Sequence, residues 1–167
     1  RVNSKVSYDT KFLFAAAMNP CPCGNAFSKN NLCTCSDKEI AKYKNVISGP
    51  ILDRIDIYCA MGEINDTDVP SYSSKQMSAM VLNAFKNQIE RGQNELNGKL
   101  NDSDIANFCI LDSDATEIVN KAISSYNLSQ RGINKTLKVA RTIADLRDAK
   151  TISKADIIES LSYRMKR

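Results

Sequence analysis

Four of the six cysteines in this 167-residue chain, Cys21, Cys23, Cys33 and Cys35, fall within a stretch of fifteen residues. They form Cys-Pro-Cys-Gly and Cys-Thr-Cys, with nine residues between Cys23 and Cys33. Four thiolates on two short loops can surround one ion tetrahedrally, and soft sulfur ligands favour zinc. Three states fit the spacing: a structural zinc site, four reduced metal-free thiols, or disulfides. Bound zinc would fold a loop that has little apolar core of its own. An all-cysteine shell would leave no open position for catalysis. A secreted disulfide scaffold would be shorter, would spread its cysteines and would carry a leader. The chain opens Arg1-Val2-Asn3-Ser4-Lys5 with no apolar leader and no initiator methionine. The expectation is a piece of a longer cytoplasmic protein, with no run long enough to cross a membrane.

The remainder divides by hydrophobic pattern. Residues 12–18 are a continuous apolar run stopped by Asn19-Pro20 and read as a buried strand, and residues 55–60 alternate like a second. Between them, Ser36 and Glu39 have capping-box spacing and open a helix with Ile40, Tyr43 and Ile47 as its stripe, ended by Gly49-Pro50. Residues 62–74 are polar and hinge-like, which sets domains at 1–62, 63–73 and 74–167. Beyond the linker every segment reads as helix: about 74–91, 103–108, 113–126, 130–148 behind a Ser129 cap, and a last one behind Ser153. Expected inward residues are Met77, Met80, Val81, Ala84 and Phe85, then Ile118, Val119, Ala122 and Ile123. The long helix should bury Ile133, Leu137, Ala140, Ile143 and Ala144, and the last one Ile157, Ile158 and Leu161. The fold class is mainly α with a partial α/β layer followed by a helical bundle.

Several polar residues stand where chemistry is possible. Histidine is absent, which excludes imidazole acid–base and triad chemistry within this chain. The net charge of +4 is compatible with nucleic acid without arguing for it. Asn19 follows the first expected strand, where a carboxamide can hold a water or a phosphate oxygen, or simply make the turn before Pro20. Arg54, in Gly49-Pro50-Ile51-Leu52-Asp53-Arg54-Ile55-Asp56, can stabilise a transferring phosphoryl group or pair with Asp53 or Asp56. Arg131 lies in the first turn of the long helix, where a cation is disfavoured unless an anion answers it. Lys138 and Arg141 follow on a related face, and the plain alternative is a solvated basic surface.

Three segments together carry a resemblance. They are Ala16-Ala17-Met18-Asn19-Pro20-Cys21-Pro22-Cys23-Gly24 with Cys33-Thr34-Cys35, Ile47 to Asp56, and Val139-Ala140-Arg141-Thr142-Ile143-Ala144-Asp145-Leu146. In this order, across about residues 12–164, they resemble the ComM-type, magnesium-chelatase-like AAA+ ATPases. The resemblance implies the C-terminal part of an AAA+ core followed by a helical lid of the magnesium chelatase C-terminal type. It implies that Asn19 is the sensor-1 residue and Arg54 the arginine finger acting on a neighbouring subunit. Arg131 would be the sensor-2 arginine, with Arg141 the second candidate. ATP and Mg²⁺ would be the cofactors, a homohexamer the assembly and DNA the partner, with branch migration or helicase action during natural transformation.

The chain departs from such a pattern in having no G-x-x-x-x-G-K-[ST] loop and no apolar strand ending in an acidic pair. On its own it is therefore expected to hydrolyse ATP poorly or not at all. Two other functions stay open: a zinc-stabilised nucleic-acid or protein-binding module without a catalytic role, and the motor subunit of a metal chelatase.

Overall fold

Local hydrogen-bonding signals decide where the helices begin. In the computed structural model, which describes residues 6–7, 12–126 and 128–164, seven α-helices form among the described residues. They are α1 (Asp37–Lys44), α2 (Gly49–Leu52), α3 (Ser74–Glu90), α4 (Asp102–Phe108), α5 (Ser113–Tyr126), α6 (Gln130–Leu146) and α7 (Lys154–Ser162), with a 3₁₀ turn at Asn97–Lys99. The Ser36 amide donates to Glu39 Oε2 at 2.8 Å while the Glu39 amide returns to Ser36 Oγ at 3.4 Å. Ser73 and Gln76 repeat this box at the start of α3. Ser129 Oγ accepts from the Gly132 amide at 3.2 Å, so the expected cap of α6 is present. Each such bond satisfies one of the amides that a helix start leaves open.

The chain divides into two compact units, Arg1–Ile47 and Ser48–Arg167. In the first, the cysteine loop precedes α1, and α1 buries none of its residues. Gly24 has φ +83°, a left-handed conformation that suits glycine, and its amide closes a turn onto the Cys21 carbonyl at 3.0 Å.

The second unit holds the core. Leu100, Ile105, Cys109, Ala115, Ala140, Ala144, Ile152 and Ile157 form one buried cluster. Ala140 and Ala144 are both fully buried, and α6 makes its most extensive packing against α7. A parallel bridge joins Leu111 to Ile152: the Ile152 amide donates to the Ile110 carbonyl at 2.8 Å, and the Asp112 amide to the Ile152 carbonyl at 3.0 Å. It ties the entry of α5 to the entry of α7.

The mainly helical class is observed, but neither expected strand forms. Residues 12–18 have no regular structure, and Phe12, Leu13, Phe14 and Met18 are exposed. Residues 55–60 are also irregular. A strand needs a neighbour to receive its ladder bonds, and no named strand exists among the described residues. Gly49-Pro50 does not terminate α1, which ends at Lys44; instead the pair opens α2, with proline in the first turn where its missing N–H costs nothing. On α3 only Ala84 of the expected stripe is buried, and Met77, Val81 and Phe85 stay 41–49% exposed. Ile158 is likewise half exposed at 50%, whereas Ile157 is fully buried. No described helix is long and apolar enough to cross a membrane.

Candidate functional site

The four clustered cysteines converge. Their sulfur atoms all lie within 4.8 Å of one another, with Cys21–Cys23 at 3.4 Å, Cys21–Cys33 at 3.7 Å and Cys23–Cys33 at 3.6 Å. Disulfide sulfurs sit at ~2.05 Å, so these are free thiols. A tetrahedral ion with Zn–S of about 2.3 Å places its sulfurs roughly 3.8 Å apart, close to the separations seen. The donor set therefore fits a thiolate-preferring ion. Cys21 is buried and the other three are partly so.

Electrostatics differ around the cluster. The Asn25 and Thr34 amides, with the Cys21 and Cys35 thiols, hold Cys23 down at about 5. The Cys23 amide pulls Cys35 the same way, but desolvation and the Cys23 and Cys21 sulfurs outweigh it and push Cys35 up to about 12. At Cys33 the Cys35 amide is likewise outweighed by desolvation and the neighbouring sulfurs, and the thiol is raised. Asn19, next to this loop, is exposed at the end of the apolar run.

In the second unit, α6 begins beside a solvent-open cleft of about 390 Å³. Arg131, Lys135 and Lys138 line it together with Asp56, Asp102 and Asn134. Positions i, i+4 and i+7 share one helix face, so these three cations are neighbours by construction. No acidic residue occupies the first turn of α6. Arg131 is exposed. Lys135 lies 3.0 Å from Asp56 Oδ1, yet its Nζ is covered and has no aligned hydrogen-bond acceptor among the described residues. The Asn134 carboxamide donates to Asp102 Oδ1 at 2.7 Å, and Lys138 Nζ is 3.4 Å from the Gly98 carbonyl. Gly132, next to Arg131, is where Arg164 approaches α6: a Cβ there would stand 3.3 Å from Arg164 Nη2, and Nη1 donates to the Gly132 carbonyl at 3.2 Å.

Arg54 follows α2 and is exposed, its Nη1 donating back to the Pro50 carbonyl at 2.7 Å. Neither acidic partner expected for it holds it in an ion pair among the described residues, and Asp56 turns to Lys135 instead.

Arg141 requires a correction. Its side chain is fully buried and faces the protein, not a ligand. Nε and Nη2 reach Asp145 Oδ1 at 3.2 and 2.9 Å, while Nη1 and Nη2 donate to the Lys150 and Ala149 carbonyls. Every nitrogen is engaged within the protein and the side chain is fully covered, which leaves it closed to a nucleotide. Sequence reading missed this network: Asp145 also accepts from Arg91 and Asn97, and Gln88 Oε1 accepts the Asn97 amide. The available signal was the Arg141/Asp145 spacing of four on the face of Ala140 and Ala144. Lys135 was also passed over, although it stands four residues after Arg131.

Two family profiles cover this chain. Residues 1–69 match the magnesium chelatase subunit ChlI profile, and residues 71–164 match the profile of the ChlI C-terminal region. The Escherichia coli K12 protein YifB is 36% identical over 98% of this chain and 33% of its own length. The Haemophilus influenzae competence protein ComM is 34% identical over the same shares. The chain thus spans about a third of the length of these curated relatives. With the two profiles matching residues 1–69 and 71–164, and ComM and YifB aligned across nearly all of the chain, it belongs to the magnesium chelatase ChlI-type family of AAA+ proteins, in its ComM-type branch.

Proposed function

We propose that this chain supplies the nucleotide-sensing part of an AAA+ ATPase that couples ATP hydrolysis to the remodelling of DNA. The observation that carries the reading is the open cleft at the start of α6, where Arg131 stands exposed among Lys135 and Lys138. A helix start lined with cations and lacking its own acidic residue is suited to phosphate oxygens. Arg131 acts there as the sensor of the terminal phosphate. Arg54 is exposed, and among the described residues its guanidinium bonds to a backbone carbonyl within its own turn, which suits it to reach a nucleotide held by a neighbouring subunit of a homohexamer. An arginine supplied in trans accelerates phosphoryl transfer by roughly 10³–10⁵ through charge stabilisation. Asn19 positions the attacking water. Mg²⁺ accompanies ATP and neutralises charge on the phosphates. The domains are 1–62, 63–73 and 74–167, and a change of nucleotide state moves the helical lid about residues 63–73. Cys21, Cys23, Cys33 and Cys35 hold a structural zinc ion, which shapes the loop and takes no part in hydrolysis.

The test is ATP hydrolysis by the complete polypeptide, with and without branched DNA, in wild type and Arg54→Ala. DNA-stimulated turnover that disappears in the variant is expected. Turnover kept in the variant would make Arg54 a structural residue. The cysteine cluster favours a second reading, a zinc-stabilised binding module; absence of turnover in both proteins, with DNA affinity retained, would favour it.

A further inference from the structure

Lys135 is placed unlike the other cations of the cleft. Its side chain is only 15% exposed, its Nζ is covered, and no aligned acceptor satisfies it among the described residues. Its one ion pair there is with Asp56, whose side chain is 62% exposed and comes from the segment that follows Arg54. An ammonium carries three donors, and a covered one held by a single carboxylate contact has donors to spare for a further acceptor. The other acid of the cleft, Asp102, is already engaged by Asn134 at 2.7 Å. Asp56 is therefore the replaceable counter-charge in a cleft that otherwise gathers three cations along one helix face.

From this juxtaposition we infer that Lys135 is a second ligand for the terminal phosphate of a nucleotide polyphosphate, and that Asp56 holds its place until the phosphate arrives. The inference rests on the reading of Arg131 as a phosphate contact. A terminal phosphate offers three oxygens and more charge than one carboxylate, and charge-assisted bonds to it are strong. It also protrudes, as reaching a covered Nζ requires; a phosphodiester flanked on both sides by sugars does not. Exchange at Lys135 releases Asp56, and with it the segment bearing Arg54. Nucleotide occupancy at α6 is thereby linked to the freedom of Arg54 within one chain.

Calorimetric titration of this chain with ATP, inorganic tripolyphosphate and a single-stranded oligonucleotide tests the inference. Lys135→Gln should weaken tripolyphosphate and ATP about tenfold, while Asp56→Asn should tighten both by roughly three- to tenfold, since it removes the competitor. A gain of affinity cannot arise from misfolding, so Asp56→Asn keeps the test decisive where Lys135→Gln lowers stability. Unchanged polyphosphate affinity in both variants, with Arg131→Ala still weakening it, overturns the exchange and leaves Arg131 standing. Effects in both variants with none in Arg131→Ala keep the exchange and remove Arg131. An equal dependence of oligonucleotide affinity on Lys135 and Asp56 overturns the assignment to nucleotides.

Discussion

Arg91 grips Asp145 with both terminal nitrogens, each 2.8 Å from a separate carboxylate oxygen, across the interface between α3 and α6. Asp145 is fully buried and answers Arg141 as well, so one carboxylate serves two guanidinium groups and the Asn97 carboxamide. Its backbone carbonyl takes a further bond from Asn87 at 3.0 Å. This cluster anchors α3 and the Asn97–Lys99 turn to the middle of the bundle.

Replacing Asp145 with alanine leaves two arginines facing each other without a counter-charge. Removing one member of a buried ionic group costs about 3–5 kcal/mol. Urea unfolding followed by circular dichroism should show that loss, or a chain that no longer folds. A change below about 1 kcal/mol would mean that water enters and solvates the arginines.

Arg141 and Arg54 should separate in the same assay. Arg141→Lys keeps the charge but loses the planar fork that bonds Asp145 and the Ala149 and Lys150 carbonyls. Buried acceptors left without donors cost about 1–3 kcal/mol each. Arg54→Ala, at an exposed position, should change stability by less than about 0.5 kcal/mol. Equal stability losses would contradict the division into a structural and an exposed arginine.

Asp156 sets an acid limit on the last helix. Burial pushes its carboxyl up, but the Arg147 guanidinium and the Ser153 amide and hydroxyl outweigh burial and hold it below its ordinary value of 3.8. A group with a depressed folded pKa binds more protons when unfolded, so its stabilisation is complete above the unfolded value and is lost as pH falls through the folded one. Stability measured from pH 6 down to about pH 2 should fall in that window. Arg147→Gln should flatten the fall; an unchanged slope would assign it to other carboxylates.

The cysteine cluster should take up one thiolate-preferring ion. Titration with Co²⁺ should give the absorption of tetrahedral sulfur ligation at one equivalent, displaced by Zn²⁺. Serine at any one of Cys21, Cys23, Cys33 or Cys35 should weaken uptake, whereas serine at Cys59 or Cys109 should not. Octahedral spectra, or uptake insensitive to the four positions, would dissociate the cluster from metal.

How much of this was legible in the sequence follows from the range of the forces involved. The caps at Ser36 and Ser129 are bonds across three residues, and both stand where the sequence indicates. Ala140 and Ala144 were equally readable because helical periodicity repeats within one turn. The two strands were not, since a strand is defined by a distant partner and apolar composition alone does not provide one. Arg141 was misjudged for a related reason. Its type and spacing suit a phosphate, but the face it occupies points to Asp145 and the Ala149–Lys150 carbonyls. Gln88 and Asn97 are polar yet buried, because Gln88 Oε1 accepts the Asn97 backbone amide, Gln88 Nε2 donates to the Ala84 carbonyl, and the Asn97 carboxamide donates to Asp145 and accepts from Gln93.

The unpaired run at 12–18 has a practical meaning for anyone handling the isolated chain. Leu13 is 94% exposed and is flanked by Phe12 and Phe14, with no named strand among the described residues to occupy the backbone edges beside them. Such a segment is a template on which another polypeptide can lay its own strand. Losses on concentration should therefore grow with time and protein level, and a charged residue in place of Leu13 should extend shelf life without altering the thermal transition of the helical bundle.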